Sequence, residues 1–153
     1  IHPWKMPFLL MRGRRRMRQV IGQLEPFAGI PEAIRALHAE GHELFILSSN
    51  TLRNVRDFLH QHELHTYFLE IYGSVGLFGK ASALRRLLRE HNLERGDAIY
   101  IGDETRDVQA AQSLSLRVIA VTWGFTKPAT LKALHPTALA DQPSDLIRIL
   151  EEL

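Results

Sequence analysis

The chain has 153 residues, 45% of them hydrophobic and 24% charged, with no cysteine and a net charge of +2. That is the balance of an ordinary globular protein of one domain with room for an appendage. It excludes disulfides, thiolate metal sites and cysteine nucleophiles, fits a reducing cytoplasm, and includes no apolar run near the roughly 18–20 residues that cross a bilayer.

Charge is unevenly placed. Residues 1–24 hold Lys5, Arg12, Arg14, Arg15, Arg16 and Arg18 and no acid, so the remainder is net acidic. A basic arm on an acidic body is one footprint of nucleic-acid binding. No aromatic residues interleave with these arginines as stacking platforms, which weighs against that partner. Trp4, Phe8 and Met11 recur at helical spacing, and Val20, Ile21 and Leu24 follow with no strand attached. Residues 1–24 are therefore assigned to a helical subdomain distinct from the rest.

From Glu25 onward short apolar runs alternate with amphipathic stretches. Pro31 and Gly41 bracket a helix in the usual proline-start, glycine-stop sense, with Ile34 and Leu37 inward. Leu44-Phe45-Ile46-Leu47 is apolar on both faces, as a buried parallel strand is. A helix over 51–62 follows, with Leu52, Val55 and Leu59 on one face. Residues 68–72 read as a second strand and 81–90 as a helix with Leu84, Leu87 and Leu88 inward. Residues 98–101 form a third strand, 106–112 a helix, 118–121 a fourth strand and 145–153 a closing helix. The alternation predicts an α/β fold over residues 25–153: a Rossmann-like three-layer sandwich with a parallel sheet covered on both faces.

In such sheets ligands bind where the carboxyl ends of the strands emerge. Ser48, Ser49 and Asn50 follow the first strand. Gly73, Gly76, Gly79 and then Lys80 follow the second. Gly102, Asp103, Glu104, Arg106 and Asp107 follow the third, and Thr122, Trp123 and Gly124 the fourth. For a phosphoryl ligand each group has a physical task. The Ser48 hydroxyl and the backbone N–H groups of Ser49 and Asn50 can hold phosphate oxygens at a helix start. Lys80 offsets their negative charge. Asp103 and Asp107 are hard oxygen donors suited to Mg²⁺, with Glu104 beside them. Plainer roles stay open for each residue taken alone. Ser48 and Asn50 can cap the following helix, Lys80 can be a surface lysine, Asp103 can be an N-cap, and Asp107 can favour a helix N-terminus by its charge.

Taken together these segments resemble the haloacid dehalogenase superfamily, phosphoglycolate-phosphatase-like members above all. FILSSN (45–50) is similar to its second motif with Ser48 in the hydroxyl position. GLFGK (76–80) is similar to the third with Lys80 as the lysine, and IGDETRDVQAA (101–111) to the fourth with Asp103 and Asp107 as the acids. The chain departs from the pattern at Ala81 (often Pro), Glu104 (often Ser) and Ser115 (usually a helix-ending Gly).

The resemblance implies a Mg²⁺-dependent phosphatase of small phosphorylated metabolites that works through an aspartyl-phosphate. Catalysis would fall to Ser48, Lys80 and Asp107, phosphate binding to Ser48, Ser49, Asn50 and Lys80, and metal binding to Asp103 and Asp107. The alternatives are a phosphomutase, a dehalogenase or a non-catalytic module of the same fold; the paired acids weigh against the dehalogenase and the joint presence of Ser48, Lys80 and Asp103 against the non-catalytic module. The family's first motif, a strand ending in Asp-X-Asp, occurs nowhere in the sequence. The expectation is that the chain begins inside the helical cap that family members insert after that motif, with residues 1–24 as the cap's end. The strands flanking the missing one would then be open to self-association.

Overall fold

The computed structural model describes residues 23–76 and 79–153. The cap assignment of residues 1–24 lies outside these residues, apart from Gln23 and Leu24. Among the described residues five strands and six α-helices alternate: α1 (Ile30–Ala39), β1 (Leu44–Leu47), α2 (Leu52–Gln61), β2 (Phe68–Tyr72), α3 (Lys80–Glu90), β3 (Ile99–Gly102), α4 (Thr105–Ser113), β4 (Arg117–Val121), α5 (Pro128–Lys132), β5 (Ala138–Ala140) and α6 (Asp145–Glu152). A 3₁₀ turn, His65–Tyr67, leads into β2.

Local chemistry accounts for most boundaries. Gly29, at φ +87°, caps α1, and Pro31 lies in its first turn, where a missing N–H costs nothing. Thr51 caps α2, its Oγ1 accepting the Asn54 N–H at 3.2 Å. After α4, Ser115 takes the left-handed position at φ +56° that glycine usually fills. Its N–H donates to the Gln112 carbonyl at 2.9 Å, and the Leu116 N–H reaches back to the Ala111 carbonyl at 3.0 Å. This Schellman closure forms in spite of the serine Cβ, which costs about 1 kcal/mol there.

All strand pairs are parallel. β1 pairs with β2, and β3, β4 and β5 pair in that order. Along β4 the side chains alternate between two cores. Val118 and Ala120 join Leu84, Val108, Ala111 and Leu131 under α3, α4 and α5. Ile119 and Val121 join Ala140, Leu146 and Ile149 under α6. Helix α1 packs against α6 on that second face. The three-layer sandwich expected from the sequence is thus formed.

Among the described residues β1 and β3 do not pair with each other. Between them lies a cavity of about 630 Å³ lined by Phe45, Leu47, Ile99, Tyr100 and Ile101, with Leu84 behind. Ile101, mid-strand on β3 and lining this cavity, is 37% exposed. Helix α3 spans the two parts of the sheet. At its C-terminal end Glu90 accepts the Tyr72 hydroxyl of β2 at 2.8 Å. At its N-terminal end the Lys80 ammonium meets Asp107 of α4.

Two elements escaped the sequence reading. α5 has five residues and β5 three, too short for a 3.6- or 2-residue period to stand out, and the Ala-Leu-Ala of β5 lacks the β-branched and aromatic signature of strands.

Candidate active site

The candidate residues follow the C-terminal ends of β1 and β3, next to the cavity-lining Leu47 and Ile101. At the end of β1, Ser48 is locked to β2: its N–H donates to the Tyr72 carbonyl at 2.8 Å, and its own carbonyl accepts the Val75 N–H at 3.0 Å. Its Oγ accepts the Asn50 N–H at 3.1 Å. Ser48 does not cap α2; Thr51 does. Asn50 braces that helix start, its Oδ1 accepting the Thr51 N–H at 2.8 Å and the Asn54 Nδ2 at 2.9 Å. One of the two backbone N–H groups proposed for a phosphate cradle, that of Asn50, is therefore turned onto Ser48. Ser49, between them, is exposed.

The loop from β2 to α3 delivers Lys80 as the first residue of its helix. Lys80 is no surface lysine, for only 11% of its side chain is exposed. Its ammonium bonds Asp107 Oδ1 and lies 3.9 Å from Glu104. Asp107 is itself buried, its side chain 4% exposed, and its carboxylate takes three donors. Oδ1 accepts Lys80 and the Tyr100 hydroxyl, the latter at 2.9 Å, and Oδ2 accepts the Glu104 N–H at 3.0 Å. The last bond makes Asp107 part of the N-terminal closure of α4, whose N-cap is Glu104 rather than Asp103. Burial, reinforced by the Asp107 charge, pushes the Tyr100 hydroxyl well above the usual phenol range, so it stays a donor.

Asp103 points away from that network. Its Oδ2 accepts the Phe125 N–H at 2.6 Å, and its carbonyl accepts the Thr126 N–H at 3.2 Å. The loop after β4 thus closes over Asp103. Two glycines permit the packing. A Cβ on Gly102 would fall 2.5 Å from the Asp107 Cβ, and one on Gly124 would fall well inside 3.0 Å of Asp103. Glu104 is held by an ion pair with Arg106.

The structure therefore joins Lys80, Asp107 and Glu104 directly, sets Asp103 on the same edge with its own partners, and keeps Ser48 on the β1 side of the cavity. The sequence reading passed over Tyr100, Phe125 and Thr126. Tyr100 left a faint signal, a polar tip inside an otherwise aliphatic strand. Phe125 and Thr126 contribute backbone N–H groups, which carry no sequence signature at all.

The profile of the haloacid dehalogenase-like hydrolase family matches residues 2–121. The chain is 33% identical over 153 residues to a phosphoglycolate phosphatase from Synechococcus elongatus, covering all of this chain and 72% of that protein. It is 31% identical over 129 residues to a 5'-nucleotidase from Pseudomonas aeruginosa, covering 82% of this chain and 58% of that protein. Against other phosphoglycolate phosphatases it spans little more than half of their length, 56% for that of Photobacterium profundum. Among solved structures, a haloacid dehalogenase-like hydrolase from Streptococcus pneumoniae superposes with a TM-score of 0.85 at 24% identity, over 98% of this chain and 72% of that one. With its parallel α/β fold and the Lys80–Asp107 pair beside Asp103, the chain belongs to the haloacid dehalogenase-like hydrolase family.

Proposed function

We propose that this chain is most of the core domain of a Mg²⁺-dependent phosphatase that hydrolyses a small phosphorylated metabolite through an aspartyl-phosphate. The observation that carries the reading is the buried Lys80–Asp107 ion pair, on the same strand-end edge as Asp103. A buried cation at that place has a clear use when a phosphoryl group arrives. It stabilises the charge that builds on the transferring oxygens, in surroundings of low dielectric where each charge counts for more.

In this reading Ser48 donates its hydroxyl to a phosphoryl oxygen, the Ser49 backbone N–H adds to the cradle while that of Asn50 stays on Ser48 Oγ, and Lys80 supplies the positive charge. The nucleophile is an aspartate on a strand outside these 153 residues, and the cavity between β1 and β3 supports the presence of that strand. Attack forms an acyl phosphate and releases the alcohol, and water then cleaves the acyl phosphate. The donor chemistry of Asp103 suits Mg²⁺. Among the described residues its Oδ1 has no hydrogen-bond partner, and Mg²⁺ needs only one or two carboxylates and keeps several waters. Asp107, with three donors on its two oxygens, has little capacity left and serves chiefly to orient Lys80. When bound, Mg²⁺ would shield the phosphoryl group from the surrounding acids.

A dehalogenase has no use for Mg²⁺, so the metal-suited Asp103 favours the phosphatase. Relatives named for phosphoglycolate and for nucleotides support a phosphate monoester as substrate. The test is to assay the chain joined to its nucleophile strand on p-nitrophenyl phosphate and phosphoglycolate, with Mg²⁺ and with EDTA. Hydrolysis abolished by EDTA is expected. Turnover undiminished in EDTA removes the metal from the reading, and absence of hydrolysis on every monoester removes the reading itself.

A further inference from the structure

Strand β3 reads Ile99-Tyr100-Ile101-Gly102, and Tyr100 faces the α3–α4 side of the sheet. Its ring packs against the core that holds Leu84, Val108 and Val118. A phenylalanine would fill that place equally well. The hydroxyl is the addition, and it donates to Asp107 Oδ1 at 2.9 Å, the same oxygen that receives Lys80. Asp107 thus holds its cation through Oδ1, which it shares with Tyr100, while Oδ2 is fixed by the Glu104 N–H.

This arrangement bears on what Lys80 can do. A buried carboxylate without other donors would hold a lysine tightly, because either charge left alone there is costly. The hydroxyl and the Glu104 N–H take part of that load, so Asp107 remains a satisfied, correctly turned anion when the lysine's N–H groups are drawn elsewhere. Resting on the phosphatase reading above, we propose that Tyr100 is a positioning residue: its hydroxyl steadies Asp107 so that Lys80 is released toward the phosphoryl group as charge develops on it. Tyr100 touches no reacting atom. Its effect falls on the transition state, where Lys80 is needed most, and spares ground-state binding, which rests on Ser48 and the backbone beside it.

The experiment uses the enzyme joined to its nucleophile strand and the variant Tyr100→Phe, which keeps the ring and its packing. The expected result is a fall in kcat of about tenfold or more, as for a lost hydrogen bond to a charged group, with KM changed by less than about threefold. Affinity for orthovanadate, which mimics the five-coordinate phosphoryl group, should weaken in parallel with kcat, while affinity for inorganic phosphate changes little. In an Asp107→Asn background Tyr100→Phe should add less than about twofold, because both act as one unit. A purely structural hydroxyl would lower the melting temperature and leave kcat per folded molecule and orthovanadate affinity unmoved; that outcome overturns the proposal. So does a loss that multiplies fully with that of Asp107→Asn. An unsubstituted enzyme that hydrolyses no phosphate monoester overturns the phosphatase reading itself, whereas an active enzyme insensitive to Tyr100→Phe overturns this inference alone.

Discussion

Gly124 and Asp103 meet so closely that no side chain fits between them: a Cβ on Gly124 would lie well inside 3.0 Å of the Asp103 carboxylate. The Phe125 N–H, one residue on, holds Asp103 Oδ2 at 2.6 Å. Gly124→Ala must therefore displace either Asp103 or the loop. Overpacking of this kind costs about 1–3 kcal/mol. In the enzyme carrying its nucleophile strand, the Mg²⁺ concentration for half-maximal activity should rise at least about tenfold, since a ligand out of place by a fraction of an ångström loses much of its affinity. An unchanged Mg²⁺ titration would take Asp103 out of the metal site.

Lys80→Met separates the catalytic role from the surface role most sharply. With Lys80 11% and Asp107 4% exposed at their side chains, the substitution leaves a buried carboxylate without its cation. The melting temperature should fall, by an amount corresponding to about 3–5 kcal/mol. Turnover in the same enzyme should fall about a thousandfold. Replacing a surface lysine would change stability by no more than about 0.5 kcal/mol and turnover by about twofold at most. Urea melts and single-turnover rates on the same preparation distinguish the two cases.

Asp145, at the first position of α6, accepts the Asp141 N–H at 3.0 Å and the Gln142 N–H at 3.1 Å. The Asp141 bond, with smaller help from the Gln142 bonds and Arg148, holds its carboxyl below its ordinary value near 3.8 against the opposing effect of desolvation. A depressed carboxyl binds its proton more readily unfolded than folded. Its contribution is therefore complete above pH 3.8 and is lost as pH falls through the lower, folded value. Asp145→Asn should be less stable than the native chain at pH 7, and the gap should narrow below pH 3.8. Urea denaturation at pH 7, 5 and 3 measures it, and a gap that stays constant across that range would contradict the assignment.

Among the described residues no strand pairs with the facing edges of β1 and β3, which border the cavity between them. Unpaired edges invite pairing with another chain. The 153-residue chain by itself should form dimers or larger species whose fraction rises with concentration, and it should show no phosphatase activity. Light scattering coupled to size exclusion over a hundredfold concentration range is the measurement. A monodisperse monomer with a sharp thermal transition would mean that the cavity edge is satisfied within the chain.

The amino-acid sequence by itself determined the alternation of helix and strand and the residues that stand at each strand end. Both are local properties. The apolar run Leu44–Leu47 and the spacing of Leu84 and Leu87 report which faces are covered, and these elements lie within one or two residues of where the periodicity puts them. Ser115, too, announces itself locally, since a helix must close there whether or not glycine is present. Only the tertiary structure decided which strand ends converge and what each side chain touches. Lys80 reaches Asp107 across 27 residues of sequence, and Phe125 reaches Asp103 across 22. Such contacts depend on strand order and on how α3 spans the sheet, and periodicity is silent about both. The same holds for Tyr100: sequence alone gives an aromatic residue in a strand, and only the packing of β3 against α4 brings its hydroxyl to a buried carboxylate. The cavity between β1 and β3 is likewise a property of pairing, because an apolar strand reads the same whether one of its edges or both are satisfied.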